Sequence, residues 1–233
     1  MIPPRMQPAG FWRRYAAWSL DAAIVGLPAI ALAWARTQSA LHEVLRAFDV
    51  LAARMAALMI EGLRSAQEPL SMMLGWVHGG ALHAESIVLQ AALWRALQPG
   101  LTAFVLFASI YWVACERSPW QATPGKRALG LVVTDIEQRP LGLGRALARH
   151  VAGAASWLTL NLGHALAAVP PQKRSLHDHL AGTRVLQEGD SRLPAWARVW
   201  LGLQLVFAFA LTAWATLAMR DALRLAVENA LSS

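Results

Sequence analysis

Cysteine is nearly absent. Cys115 is the only one in 233 residues, which excludes a disulfide framework. Charge is scarce too: Asp, Glu, Lys and Arg make up 15% of the chain, against about 25% in an average soluble domain. A soluble fold of this size needs a charged skin, and so thin a one argues against that class. Disorder is excluded from the other side, because 56% of the residues are hydrophobic. Catalytic signatures are missing as well. No serine-hydrolase elbow and no paired catalytic carboxylates occur. Gly125-Lys126 lacks the glycine five positions earlier and the Ser or Thr that follows in a nucleotide-binding loop, since Trp120 and Arg127 stand there. The expectation is therefore a polytopic membrane protein that is not an enzyme and carries no cofactor. Its formal net charge of +7 reads as a loop bias of the positive-inside kind, not as a nucleic-acid surface.

Four apolar runs reach or approach the ~20 residues that a helix needs to cross a bilayer. They are residues 15–35, 99–115, 151–169 and 199–219. Three or four crossings follow. Residues 33–35 fit a signal-cleavage pattern, and Arg13-Arg14 has a twin-arginine look. The run is too long for a signal peptide and carries Asp21, so an anchored first helix is expected. The N-terminal 14 residues hold three Arg and no acid, and 116–150 hold six basic residues against three acids. Both are expected in the cytoplasm, with 36–98, five Arg against five acids, outside. Residues 170–198, with five basic and three acidic, also belong inside by this rule. A single crossing at 151–169 would put them outside. A segment that dips and returns, broken near Gly153 or Gly163, resolves the conflict.

Residues 38–66 show helical periodicity: Leu41, Val44, Leu45, Phe48, Leu51, Ala52, Met55, Leu58 and Met59. An amphipathic helix of this kind lies on a membrane, packs on other helices or meets a partner. Residues 76–98 carry a further apolar stretch, and eleven Trp suit anchoring at the membrane interface. Residues 131–134 and 183–186 read as short strands. If they pair, both lie on one side, which favours the dipping segment.

Asp21 is the most informative side chain. A carboxylate in an apolar span costs ~2.5–3.5 kcal/mol at a helix centre. Arg14 sits two turns below it, ~10 Å along the axis, so a cation from another segment is the expected partner. Three readings stay open: a structural ion pair, a proton- or cation-exchanging group, or a silent protonated acid. Asp178, between His177 and His179, is expected to pair with a cation from the N-terminus or from the 124–127 loop. Two His and one Asp fall short of the three or four ligands that a metal site needs. His78 and His83 read as surface residues, and Cys115 as inert packing at a span end.

Three blocks resemble the RDD family of bacterial membrane proteins, named for one Arg and two Asp. Gly10-Phe11-Trp12-Arg13-Arg14-Tyr15 through Asp21 resembles the first. Ala122 to Arg127 with Leu129-Gly130-Leu131-Val132-Val133, Pro140-Leu141 and Arg145 to Arg149 resembles the second. Leu176-His177-Asp178 with Leu180-Ala181-Gly182-Thr183 resembles the third. The resemblance implies a signature cluster of Arg14, Asp21 and Asp178 near the cytoplasmic face, with Lys126, Arg127 and His177 as ion-pair partners. It implies an inner-membrane location with a cytoplasmic N-terminus, and a domain over 9–187 that holds 36–98 as an insertion. Residues 188–233 would then be a C-terminal extension with a further crossing. Some members of the family are implicated in sodium–proton exchange. Two functions are thus expected: cation or proton transport through the cluster, by a homo-oligomer in the bilayer, or a non-transporting scaffold that binds partners through 38–66. The fold class expected is all-α, with three or four membrane helices, a long amphipathic helix and a two-stranded β element.

Overall fold

Between Pro28 and Gly62 the sequence holds no glycine or proline, and nothing there stops a helix once it has started. In the computed structural model, which describes residues 6–78, 80–159, 161–190 and 192–232, helix α1 (Phe11–Arg64) is continuous over 54 residues. The expected first crossing and the expected amphipathic helix over 38–66 are therefore one element. Arg36 and Thr37 separate the two expected elements, yet neither residue breaks a helix. Pro28 lies inside α1 and Pro99 inside α3 (His83–Arg117), where the expected crossing began at Pro99. Apolar spans tolerate such prolines. Helix α2 (Pro69–His78) stands between them, and α8 (Ala195–Ser232) closes the chain. Among the described residues, α1, α3 and α8 are the three helices long and apolar enough to cross a membrane.

The small sheet has three strands, not two. Strands β1 (Met6–Pro8), β2 (Leu131–Asp135) and β3 (Thr183–Glu188) lie in the order β1-β3-β2, antiparallel throughout. Val133 faces Val185, and Pro8 faces Leu186. β1 was not expected because it is short and ends in proline. An edge strand accommodates proline, since one row of its backbone groups is unpaired anyway. Leu131, Val133 and Val185 bury their side chains with Ala9, Ala16, Ala17, Ala146 and Ala197. This core joins the sheet to the first turns of α1 and α8 and to α5 (Leu143–Leu158).

Residues 151–169 do not form a crossing helix. α5 ends at Leu158, and Asn161 takes a left-handed conformation with φ of 66° before the four-residue α6 (Leu162–Ala165) and one 3-10 turn (Leu166–Ala168). Leu160 lies outside the described residues. β2 precedes this segment and β3 follows it. Their pairing returns the chain to the side it left, so a single crossing is incompatible with the sheet.

The chain divides into two compact units, Met1–Ala29 with Phe104–Gln204, and Ile30–Ala103 with Leu205–Ser233. In the second, α1 and α3 run antiparallel along a seam of small residues. Ala33, Ala40, Ala47 and Ala56 of α1 are buried, as are Ala92, Ala96 and Ala103 of α3. The Thr37 hydroxyl donates to the Ala96 carbonyl at 3.3 Å, and a Cβ built on Gly100 would lie 3.9 Å from that of Ala33. Small side chains let the backbones approach. Leu41, Leu45, Ile87 and Val88, by contrast, stay at least half exposed. The segment is helical, but alanine forms the packed face and Leu41 and Leu45 of the expected apolar stripe lie outside it. Residues 205–221 of α8 are exposed throughout, as a lipid-facing helix requires.

Candidate functional site

The first unit holds two polar knots. One is built around Asp21, which is fully buried. Its Oδ1 accepts from the Tyr111 hydroxyl at 2.7 Å and from the Gly125 N–H at 2.8 Å, and its Oδ2 accepts from the Thr123 hydroxyl at 2.5 Å. Thr123 caps the short helix α4 (Pro124–Ala128), whose Lys126 N–H it accepts at 3.3 Å. α4 is pressed against α1 so closely that a Cβ on Gly125 would stand 2.4 Å from the Ala17 carbonyl oxygen and 2.8 Å from Asp21 Cγ. Only glycine fits there. Asp21 therefore ties together α1, α3 and α4, and it does so through neutral donors. The expected cation is not in contact with it.

The second knot is ionic. Helix α7 (Leu176–Leu180) carries Asp178, fully buried. Its carboxylate takes the Arg14 Nη1 at 2.5 Å, the Arg149 Nη1, the Ser175 N–H at 2.9 Å and the Ser175 hydroxyl at 2.8 Å. Arg14 spends its other donors on backbone carbonyls of Ala9 at 3.0 Å and Lys173 at 2.6 Å. Arg149 bonds the Thr183 hydroxyl at 2.7 Å and pairs with Glu116 at 3.1 Å. Glu116 in turn pairs with Lys126. The result is a chain Arg14–Asp178–Arg149–Glu116–Lys126 that links α1, α7, α5, α3 and α4. Asp178, Arg149, Glu116 and Lys126 are buried, and the Arg14 side chain is 12% exposed.

Burial alone would raise the Asp178 carboxyl, but the guanidiniums of Arg149 and Arg14 outweigh it and hold it well below the usual carboxylate range. Burial penalises a charged Arg149, yet Asp178 and Glu116 more than compensate and raise it. His177 is pushed well down, first by burial and then by the positive field of Arg149. It is neutral at pH 7, with its Nε2 2.9 Å from the Ser175 hydroxyl and 3.9 Å from Asp178.

The structure thus brings Arg14 and Asp178 together and leaves Asp21 apart from both. No contact joins Asp21 to either among the described residues. The single cluster expected from the signature becomes two sites, because Arg14 and Asp21, two turns apart on α1, reach different elements. Lys126 pairs with Glu116 rather than with a signature Asp, and Arg127 lies over the Trp120 ring at 4.5 Å. The residues not foreseen are Glu116, Arg149, Tyr111, Thr123, Ser175 and Thr183. Arg149 was within reach, since it closes the second family block. Glu116 was read as the end of a crossing, and nothing in its local spacing marks its partner 33 positions away. Among the described residues no three His, Cys, Asp or Glu side chains are placed to hold a metal. Cys115 is half-buried and unbridged, and His83 is exposed. The side chain of His78 lies outside those described.

The model of the RDD family matches residues 8–182, a stretch that contains Arg14, Asp21, Asp178, Glu116 and Arg149. The "Uncharacterized protein YxaI" of Bacillus subtilis (strain 168) is 23% identical over 180 residues, which cover 77% of this chain and 97% of that relative. No solved structure matches the chain.

Proposed function

From the premise that the chain belongs to the RDD family, we propose that it is a non-enzymatic membrane scaffold whose signature residues bolt its helices together rather than carry an ion. One observation carries this reading. Both oxygens of both signature carboxylates are occupied by protein donors. An exchanging carboxylate needs an oxygen that water or the ion can reach, and Asp21 and Asp178 are both fully buried behind these donors. The contact surface is the α1–α3 pair of the second unit, where Leu41, Leu45 and Val50 remain exposed beside the alanine seam. Photo-crosslinking residues placed at Leu41 and Leu45 in native membranes are expected to capture a protein partner. Crosslinks to lipid alone would retire the scaffold role.

The bilayer is the cytoplasmic membrane of a bacterium, with the N-terminus inside. The sheet supports this orientation, since it gathers the N-terminus, 131–135 and 183–188 on one side. The segments around these strands carry the basic excess. A second reading, proton or monovalent-cation transport by a homo-oligomer, draws on one feature: Asp21 is buried with neutral donors only. Purified protein in liposomes under a sodium or pH gradient separates the two. Flux that disappears in a folded Asp21→Asn variant would establish transport.

A further inference from the structure

Helix α5 is amphipathic in the reverse sense. Its outer side carries Leu143, Leu147 and Val151, which are 54%, 49% and 63% exposed, and their four-residue spacing sets them in one stripe. Gly144, Ala148 and Ala154 share that side and are exposed too, so no polar side chain interrupts it. Arg145, beside the stripe, is turned to Asp135 at 2.8 Å. The other side of α5 directs Arg149 and Ser156 into the protein, where both are buried. A helix that faces water on its outer side has the opposite pattern, with its charges outward. The return leg continues the apolar surface. Leu162, Leu166 and Val169 are exposed, and between Arg149 and Lys173 the chain holds no Asp, Glu, Lys or Arg.

A second, independent observation fixes the depth of this surface. His150, on the flank of α5, places its Nε2 3.1 Å from the Ser109 hydroxyl of α3. Ser109 belongs to the apolar crossing of α3, and Val105, Leu106 and Ile110 around it are exposed, as lipid-facing side chains are. It precedes the exposed Arg117 by eight residues, or ~12 Å along the helix axis. That distance lies within the near half of a ~30 Å hydrocarbon core. The middle of α5 is thus held at a level where its surroundings are acyl chains, and the stripe continues the lipid-facing surface of α3.

We propose that α5 and its return leg form a wedge seated in one leaflet of the bilayer, on the side of the three-stranded sheet, with Leu143, Leu147, Val151, Leu162 and Leu166 against the hydrocarbon of the lipids. The partner is the acyl layer rather than a headgroup. At 16 residues α5 spans ~24 Å and is too short to cross. Its inner side delivers Arg149 to Asp178 and Glu116, so the wedge also roofs the ionic knot with lipid. The inference holds for a scaffold and for a transporter alike.

The test places single cysteines at Leu147, Val151 and Leu166, with Glu137 as the water-side control, in a Cys115→Ala background. Each carries a nitroxide, and the full chain is reconstituted in vesicles of phosphatidylcholine and phosphatidylglycerol. All four positions are exposed, so the labels spare the core. Power-saturation EPR is read with oxygen, which partitions into lipid, and with a nickel chelate, which stays in water. Labels at Leu147, Val151 and Leu166 are expected to collide with oxygen and to lose the nickel collisions that Glu137 shows. Nickel collisions at any of the three equal to those at Glu137 would overturn the wedge. Shielding from both reagents would overturn it too, because a protein partner or a second copy would then cover the stripe.

Discussion

Replacing Asp21 by alanine strands three donors inside the protein: the Tyr111 hydroxyl, the Thr123 hydroxyl and the Gly125 N–H. A buried donor without an acceptor costs ~1–3 kcal/mol. The two hydroxyls can rotate toward other acceptors, whereas the amide cannot. Counting the amide in full and the hydroxyls in part, Asp21→Ala should lose about 3–5 kcal/mol. Asp21→Asn keeps the shape. Its oxygen can take Tyr111 and Gly125, but its amino group meets a Thr123 hydroxyl that already accepts from Lys126. Charge-assisted bonds become neutral ones, at about 1 kcal/mol each, so the loss should be roughly 1–3 kcal/mol. The assay is unfolding in mixed micelles, followed by tryptophan fluorescence. A double-mutant cycle with Thr123→Val should give a coupling of about 1–2 kcal/mol. The reasoning is refuted if Asp21→Asn costs more than Asp21→Ala, or if the cycle shows no coupling. In either case a cation outside the cage would be holding this acid.

Arg149→Met leaves both Asp178 and Glu116 short of a partner and should cost about 3–5 kcal/mol in the same unfolding assay, with part of it recovered when Asp178→Asn is added. Gly125→Ala should destabilise as strongly as Asp21→Ala, because its methyl meets the Ala17 carbonyl, whereas Gly142→Ala, with nothing within 4 Å, should change little. Acid should destabilise in two steps. His177 has a lowered folded value, so the unfolded chain binds its proton first and stability falls as pH drops below 6.5. Asp178, also lowered, contributes above about pH 4 and is lost on further acidification. Melting curves against pH should show the first step reduced in His177→Gln, the remainder coming from His150 and His164, which burial also lowers. A wild type flat between about pH 7.5 and 5.5 would count against it. Finally, cysteines at the exposed positions Glu137 and Glu188, in a Cys115→Ala background, should label from the same face of a sealed vesicle. Labelling from opposite faces would break the sheet-based topology.

Local pattern carried some of these features and not others. The apolar runs at 15–35 and 199–219 are visible because a bilayer span needs little more than length and the lack of charge. β2 and β3 are visible because their β-branched residues are bounded by turns. β1 is not, since three residues ending in proline carry no strand signal, and only the waiting edge of β3 makes them one. The alanine seam was hidden in plain composition. Hydrophobic periodicity weights Leu and Phe above Ala, while close helix packing favours the smaller residue. In the ionic knot, Asp178 was expected to pair with a cation from the N-terminus or from the 124–127 loop, and it pairs with Arg14 and with Arg149. Glu116 and Arg149 meet across 33 positions, and no spacing rule reaches that far. The reading of Asp21 erred for a different reason. A buried carboxylate was assumed to need a cation, but the start of a helix offers a free N–H and a capping hydroxyl, which together with one tyrosine fill the site.

Arg14 and Asp21 occur on one helix, and the offset of seven residues amounts to ~10 Å along its axis. One is fixed to the sheet and α7, the other to α3 and α4. α1 is therefore held at two levels by two unlike kinds of bond. A rotation or slide of α1 that freed Asp21 for an ion would also drag Arg14 away from Asp178 and from the carbonyls of Ala9 and Lys173. A buried guanidinium and a buried carboxylate would be parted, at ~3–5 kcal/mol, on top of the three bonds lost at Asp21. One part in a hundred corresponds to ~2.7 kcal/mol, so to populate such a state an ion would have to offset more than half of this cost with its own binding to the moved form. The same double fastening suits a rigid support. It holds the start of α1 at a set angle to the sheet, with α3, α4 and α7 fastened to the same turns.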